Sequence, residues 1–365
     1  YSEQTGETYT GEASLTKSFR VFGRTHEIVA GLDHLQTDST AGTSFKSMGS
    51  QSITNPQTVY SVSRDDFGEL TPNETDLTQV AAFGQAVVRP LDRVTLVLGA
   101  RHDWADISYT SSSAHNVTQE AELTMRAGAS VKVLDFMNVY AGYQESYTPN
   151  ATSVDLSGAL LPSETGQNYE VGAKFEFLDR KLSLTTALFQ TFRQNVATPD
   201  PDAPTGSSAK ISTGEQRHQG FELDLNGEPL PGLRVNANFS YADIEITATN
   251  EAGELGHAPF RTPRDYFGRV FATYEVQSGS LRGFGFGGGV YFHSGFALDA
   301  KGLDESEEYQ RIDLVAFYRG LENVNLQLNI RNLTDEVYVE APGNVSSYNQ
   351  FGPPLSVFGS VKVRF

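Results

Sequence analysis

From Val324 onward apolar and polar residues alternate. Val324, Leu326, Leu328 and Ile330 fall on one side, and Asn325, Gln327, Asn329 and Arg331 on the other. The end of the chain repeats the pattern, with Val357, Gly359, Val361, Val363 and Phe365 set against Phe358, Ser360, Lys362 and Arg364. A period of two is the mark of a strand with one apolar and one wet face. Residues 168–177 alternate in the same way, with Tyr169, Val171, Ala173, Phe175 and Phe177 outward. So do 120–133 and 233–241. Candidate strands cover roughly 11–21, 24–38, 77–90, 93–108, 119–133, 136–148, 167–178, 181–195, 216–227, 232–247, 264–276, 282–296, 309–319, 322–340 and 355–365, about fifteen in all. No stretch between them has convincing helical periodicity.

The connections are of two alternating kinds. Short ones include Pro90 to Asp92, Leu178 to Lys181, Gly227 to Gly232 and Arg319 to Glu322. Long ones span about 39–76, 109–118, 149–166, 196–215, 248–263, 297–308 and 341–354. Up-and-down strands put every second connection on the same side. Short turns on one side and long loops on the other are the asymmetry of outer-membrane barrels. The expected fold is therefore all-β, an antiparallel up-and-down transmembrane β-barrel. Its inward-running last strand would leave 341–354 outside.

Composition changes this picture little. No run of about 18 apolar residues exists, so a membrane-spanning helix is excluded, whereas barrel strands hide their apolarity in alternation. The chain holds 34 glycines, 16 tyrosines and 23 phenylalanines, in keeping with many turns and aromatic belts. Absence of cysteine removes disulfides, thiolate metal sites and cysteine nucleophiles. A net charge of −18 argues against nucleic acid, whose binding needs cationic contacts to phosphate. With no leader or initiator Met at Tyr1, the chain is expected to be a mature or truncated product.

Five segments carry a family resemblance. Asn332-Leu333-Thr334-Asp335-Glu336-Val337-Tyr338 resembles the Asn-Leu-Phe-Asp-Lys-x-Tyr segment near the C-terminus of TonB-dependent outer-membrane receptors. Ser163 to Lys174 resembles their Glu-x-x-x-x-Tyr-Glu-x-Gly-x-Lys run, Gln219 to Asp224 their Gly-hydrophobic-Glu strand start, and Thr262-Pro263-Arg264 a strand opening. His26 to Asp33 is similar to the siderophore-receptor subgroup. The resemblance implies a partial barrel, about fifteen strands of a family barrel of 22, without the plug domain, with 1–365 as one barrel domain. It implies uptake of a ferric siderophore across the outer membrane of a Gram-negative bacterium, energised through a TonB-type protein that acts on a plug. Outer-membrane lipid and the barrel-assembly machinery are the other expected partners, with Phe365 as the assembly signal. Another scarce nutrient, such as a cobalamin or a glycan, and a passive porin or structural barrel are the alternatives.

Candidate chemistry is sparse. Gly283-Phe284-Gly285-Phe286-Gly287-Gly288-Gly289 superficially resembles a dinucleotide fingerprint but lacks the following helix. Glycines where neighbours approach closely are the better reading. The seven histidines, His257 and His293 among them, show no metal-ligand spacing. Asp299, Asp304, Glu305, Glu307 and Glu308 read as a solvated acidic loop rather than a calcium site. No Ser/His/Asp arrangement suggests an enzyme, and neither metal nor cofactor is expected. Bulky chelates offer apolar surface, so loop aromatics are the ligand candidates: Trp104, Tyr109, Tyr147, Phe260, Phe296, Tyr348 and Phe351. Aromatic belts at the bilayer interfaces compete for the same residues.

Overall fold

The computed structural model describes residues 1–44, 63–111, 115–204, 207, 209–343 and 349–364. Among the described residues seventeen strands follow one another. The first four are β1 (Ser2–Val21), β2 (Arg24–Thr43), β3 (Asn73–Leu91) and β4 (Val94–Thr110). Then come β5 (His115–Leu134), β6 (Met137–Thr148), β7 (Glu164–Phe177) and β8 (Leu182–Pro199). The next five are β9 (Lys210–Leu230), β10 (Leu233–Ala248), β11 (Tyr266–Glu275), β12 (Phe284–His293) and β13 (Tyr309–Leu321). Last are β14 (Val324–Arg331), the short pair β15 (Val339–Ala341) and β16 (Gln350–Phe351), and β17 (Ser356–Val363).

Fifteen of these form one antiparallel sheet in chain order, in which β14 pairs β17, while β15 and β16 make a separate hairpin. This is the wall of a partial barrel. Every residue of β1 is exposed, as expected of a strand paired on one side only. Hairpin turns such as Phe22-Gly23, with φ of 50° and 77°, join the strands at one end. The long connections leave at the other.

The register sorts the side chains as alternation requires. Leu233, Val235, Ala237, Phe239 and Tyr241 of β10 oppose Tyr274, Ala272, Val270, Gly268 and Tyr266 of β11, all on one face. Along that face the apolar run then ends: Tyr241 is followed by Asp243 and Glu245. The same change occurs after Tyr169 in β7, where Gln167 comes next toward the long connections, and after Trp104 in β4, where Asp106 does. Leu233 to Tyr241 spans about 26 Å along a strand at about 3.3 Å per residue. Tilted by about 40°, that matches an apolar band of about 25 Å within a few ångströms. The opposite face is polar, and a closed barrel turns it to the lumen.

Three glycines of β12 illustrate the inner wall. Gly285, Gly287 and Gly289 oppose Phe317, Val315 and Asp313 of β13 on the polar face. A β-carbon at Gly285 would run into the Phe317 ring, and one at Gly289 into the Val270 carbonyl and the Phe271 ring. The glycines therefore form a flat floor under two phenylalanine rings.

The expected strand over 322–340 is shorter than read. It ends at Arg331, because Asn332 takes φ = 56° and Asp335 φ = 55°, which turn the chain out of the sheet. The expected connection 341–354 in turn contains β16, paired with β15. Strands also run further toward the long connections than alternation showed. In β4 and β5, Ser108↔Val117 and Thr110↔His115 are still paired, which leaves only 111–114 of the connection read as 109–118. Beyond the band both faces are polar, so hydropathy carries no signal there.

Candidate functional site

Two constellations occupy the polar face toward the long connections. The first is centred on Arg101 of β4. Its guanidinium reaches across β3 to both carboxylate oxygens of Asp33, one at 2.9 Å, and its Nε and Nη2 bond Asp103 at 2.8–2.9 Å. Gln79 donates to the same Asp103, which is 2% exposed, at 2.6 Å. The cause is local: Arg101 and Asp103 are two residues apart in a strand, hence on one face. A cavity of about 370 Å³ lies beside them, lined by Arg101, Arg126, Asp33, Glu12 and Glu145.

Next along β4, Ala105 and Ile107 are buried under Leu160, with Leu77, Tyr109, Ala151 and Val154 packed around them. Leu160 belongs to the connection 149–163, which thus folds back over the polar face. Asn150 braces it, donating to the carbonyls of Ser153 and Leu161 at 3.1 and 2.9 Å and accepting from Ser153 N–H at 3.0 Å. The Ser163 hydroxyl and the Tyr147 hydroxyl, the latter at 3.0 Å, both donate to Glu120.

Arg311 of β13 centres the second constellation. It pairs with Asp313 at 3.1 Å, lies 4.2 Å over the Tyr291 ring, and donates to the Tyr338 hydroxyl at 3.1 Å. The Tyr338 ring, 3% exposed, stacks on Tyr309 at 4.4 Å, and Tyr309 stacks on His293 at 5.6 Å. Phe296 closes the row 4.2 Å from His293. The segment after β14 is clasped from beneath by Asn332, which is wholly buried. Its side chain donates to the carbonyls of Glu336 and Pro353 and accepts from Glu336 N–H at 2.8–3.1 Å. The motif singled out in the sequence is thus a clasp that seats Tyr338 on the wall.

The neighbouring connections 249–265 and 294–308 are tied together by Arg264–Glu305 at 2.8 Å and Lys301–Glu251 at 2.9 Å. Within the second, Asp299 accepts backbone N–H groups of Lys301, Leu303 and Asp304. Desolvation works to raise its pKa, but these donors and Gly302 N–H outweigh it and hold the carboxyl below its ordinary value. Among the described residues no group of three or more His, Asp or Glu is placed to hold a metal ion.

Of the candidate ligand aromatics, Tyr109 and Tyr147 belong to the first constellation and Phe296 to the second. Phe260 lies in connection 249–265, with the Arg261 guanidinium 4.8 Å over its ring. Phe351 sits in β16 and is 62% exposed. Trp104, 46% exposed, stands on the apolar face where the band ends, against His102 at 4.4 Å. Tyr348 and Phe365 lie outside the described residues. Asp103, Leu160 and Arg311 were not singled out in the sequence, and Asp33 and Tyr338 only as members of family-like segments, not as site residues. A usable signal was present: Arg101-x-Asp103 and Arg311-x-Asp313 are both Arg-x-Asp within alternating strands.

An antiparallel wall with an apolar outer band, a polar inner face and connections packed over that face at one end defines part of a transmembrane β-barrel. The chain belongs to the TonB-dependent receptor-like β-barrel family, whose model matches residues 1–333. It is similar to the ferric-pyoverdine M114 receptor PbuA of Pseudomonas sp. (strain M114), at 26% identity over 98% of this chain and 45% of the relative. It is also 28% identical to the ferrioxamine B receptor of Salmonella typhimurium, over 75% of this chain and 39% of that receptor. Among solved structures, the siderophore receptor PiuA from Acinetobacter baumannii superposes with a TM-score of 0.82 at 25% identity, over 99% of this chain and 56% of PiuA. The pyoverdine receptor FpvA of Pseudomonas aeruginosa bound to pyoverdine shares the fold, with a TM-score of 0.79 at 23% identity, over all of this chain and 54% of FpvA. The chain spans roughly two-fifths to just over half of the length of these proteins.

Proposed function

We propose that the protein is an outer-membrane receptor of a Gram-negative bacterium that takes up a ferric siderophore, with energy coupled through a TonB-type partner. In this reading 1–365 is a single domain, part of the barrel, and does no covalent chemistry. The observation that carries the reading is the similarity over three-quarters or more of the chain to receptors named for ferric-pyoverdine and ferrioxamine B. The inner wall agrees with it. Tyr109 and Tyr147 in the first constellation and Phe296 in the second supply aromatic surface beside charged, directional groups, and Phe351 stands on the last connection.

The acidic balance bears on which chelate binds. A net charge of −18, with carboxylates concentrated in 299–308, repels anions at the mouth, though salt screens this beyond about 8 Å. Neutral or cationic, hydroxamate-like chelates are therefore favoured over strongly anionic catecholates. The test is binding of a panel of radiolabelled iron chelates to the full-length receptor, wild type against Phe296→Ala and Tyr348→Ala/Phe351→Ala. Losing a good aromatic contact should weaken the preferred chelate by more than about fivefold. Failure of every ferric chelate to bind, with a cobalamin or glycan binding instead, would replace this reading with the other nutrient class.

A further inference from the structure

The ladder of β5 with β4 is continuous from Val131 to His115, but its ladder with β6 stops at the pair Arg126↔Gln144. Beyond that pair β6 follows β7 alone, through Glu145↔Gln167 to Thr148↔Glu164. A notch thus opens in the wall toward the long connections, and along it residues 115–125 of β5 are paired on one side only. Glu145 closes its foot, where Oε2 takes the Met125 N–H at 2.8 Å in place of a backbone carbonyl. Trp104, opposite Ala121, marks the end of the apolar band, so the notch stands at the band edge and beyond it.

Successive residues of an antiparallel ladder turn their N–H and C=O groups to opposite sides. Lys132 N–H bonds the Arg93 carbonyl on the β4 side, and Met125 N–H points to β6. Even-numbered residues therefore face β4 and odd-numbered ones the notch. Val117, Gln119, Ala121 and Leu123 present backbone donors and acceptors there, with no backbone partner among the described residues. The free edge of β1 is different in kind. It lies at the margin of the sheet, where further strands of a closed barrel belong, whereas β5 and β6 are already joined below the notch.

Strand edges that stay unpaired are blunted by lysine, proline or a bulge. Residues 115–125 contain neither residue, and their register against β4 is unbroken. On the outer face Val117 and Leu123 are 64% and 48% exposed. On the inner face stand Glu120 and Glu122, and neither 115–125 nor β6 holds a lysine or arginine. A second copy of this edge would set Glu120 and Glu122 against their equivalents, and like charges in facing positions destabilise a strand pair. A strand with lysine or arginine at alternate positions satisfies the backbone groups and the carboxylates together.

We propose that this edge of β5 accepts an extended cationic segment of a partner polypeptide, which adds to the sheet as a strand. Arrival of that partner from the medium rests on the function proposed above; the strand addition does not. The probe is a fluorescein-labelled heptapeptide of alternating lysine and valine, titrated by anisotropy against the full-length receptor in detergent. N-methylation of its alternate amides keeps the charge and should weaken binding more than about tenfold, the scale of two or three lost backbone hydrogen bonds. Ala121→Pro removes a notch-facing N–H without touching the β4 ladder and should weaken it comparably. Glu120→Gln/Glu122→Gln should cost about fivefold, the scale of two exposed charge contacts. In the wild type, bound peptide should slow hydrogen exchange at Gln119, Ala121 and Leu123 N–H and leave Glu122 N–H, already paired with β4, unchanged. Equal binding of the N-methylated peptide, equal binding by Ala121→Pro, or protection elsewhere overturns strand addition. Equal binding of a glutamate-valine peptide, or dimers of the wild type that Ala121→Pro dissolves, overturns the cationic partner. Binding in detergent but none to intact cells until the outer membrane is opened would contradict the medium-facing reading alone.

Discussion

Asn332 is wholly buried, and its side chain and N–H together make four hydrogen bonds, the N–H to Asp313 Oδ1 at 2.9 Å. Truncation to alanine leaves Glu336 N–H and two carbonyls without partners and forces a positive φ on a residue that resists it. We predict that Asn332→Ala costs about 2–4 kcal/mol, read by denaturant unfolding in detergent. A loss under about 0.5 kcal/mol would remove the clasp. Asp299 gives a pH-dependent counterpart. Its folded pKa is depressed, so its contribution is present above the unfolded value and is lost as pH falls through the folded one. Hydrogen-exchange protection of Leu303 and Asp304 N–H should therefore hold at neutral pH and fall below about pH 4. Asp299→Asn, whose amide keeps only one acceptor oxygen, should weaken the protection of Asp304 at every pH. At this scale the sequence was only partly legible. The Arg-x-Asp pairs could be read from a period of two, but the partner of Arg101 two strands away could not. Register decides that contact, and a single sequence does not print register.

Elements were far more legible, for a physical reason. Inside the band one face must be apolar and the other can be polar, so alternation marks β5, β7, β10 and β14 with few errors. Past the band that constraint lapses and the ladders of Thr, Ser and Glu at the ends of β1, β4 and β9 look like loops. The same logic makes a prediction for β14. Leu328 is 45% exposed on the band face opposite Ala316 and Gly359, whereas Asn329 shares the inner face with Val315 and Phe358. Leu328→Arg should cost about 2–4 kcal/mol near the midplane and Asn329→Arg far less. Equal losses would contradict the assignment of faces. The glycine floor of β12 adds a case that hydropathy does not reach. Gly289→Val should destabilise because its β-carbon meets a backbone carbonyl as well as a ring, and Phe271→Ala on top should recover only the part owed to the ring. Full recovery would mean that the backbone contact is unimportant.

For the whole molecule, topology followed from the alternation that gave about fifteen strands and from the seven long connections that alternate with short turns; the fifteen-stranded sheet follows the chain order. Hidden from the sequence was the inward fold of 149–163, because its apolar residues Val154, Leu156, Leu160 and Leu161 follow neither a strand nor a helix period, and only the tertiary structure shows Ile107 beneath Leu160. The function proposed above adds the central claim to this arrangement: the long connections face the medium. This chain holds no cysteine, so one thiol introduced into it reports its own position once the labelling of the unsubstituted receptor is subtracted. Ser207 lies in a long connection and Ser280 in the turn between β11 and β12. With the full-length receptor in intact cells, a membrane-impermeant maleimide should label Ser207→Cys and leave Ser280→Cys untouched until the outer membrane is opened. Labelling of Ser280→Cys from outside, with Ser207→Cys protected, would invert the wall and contradict the account.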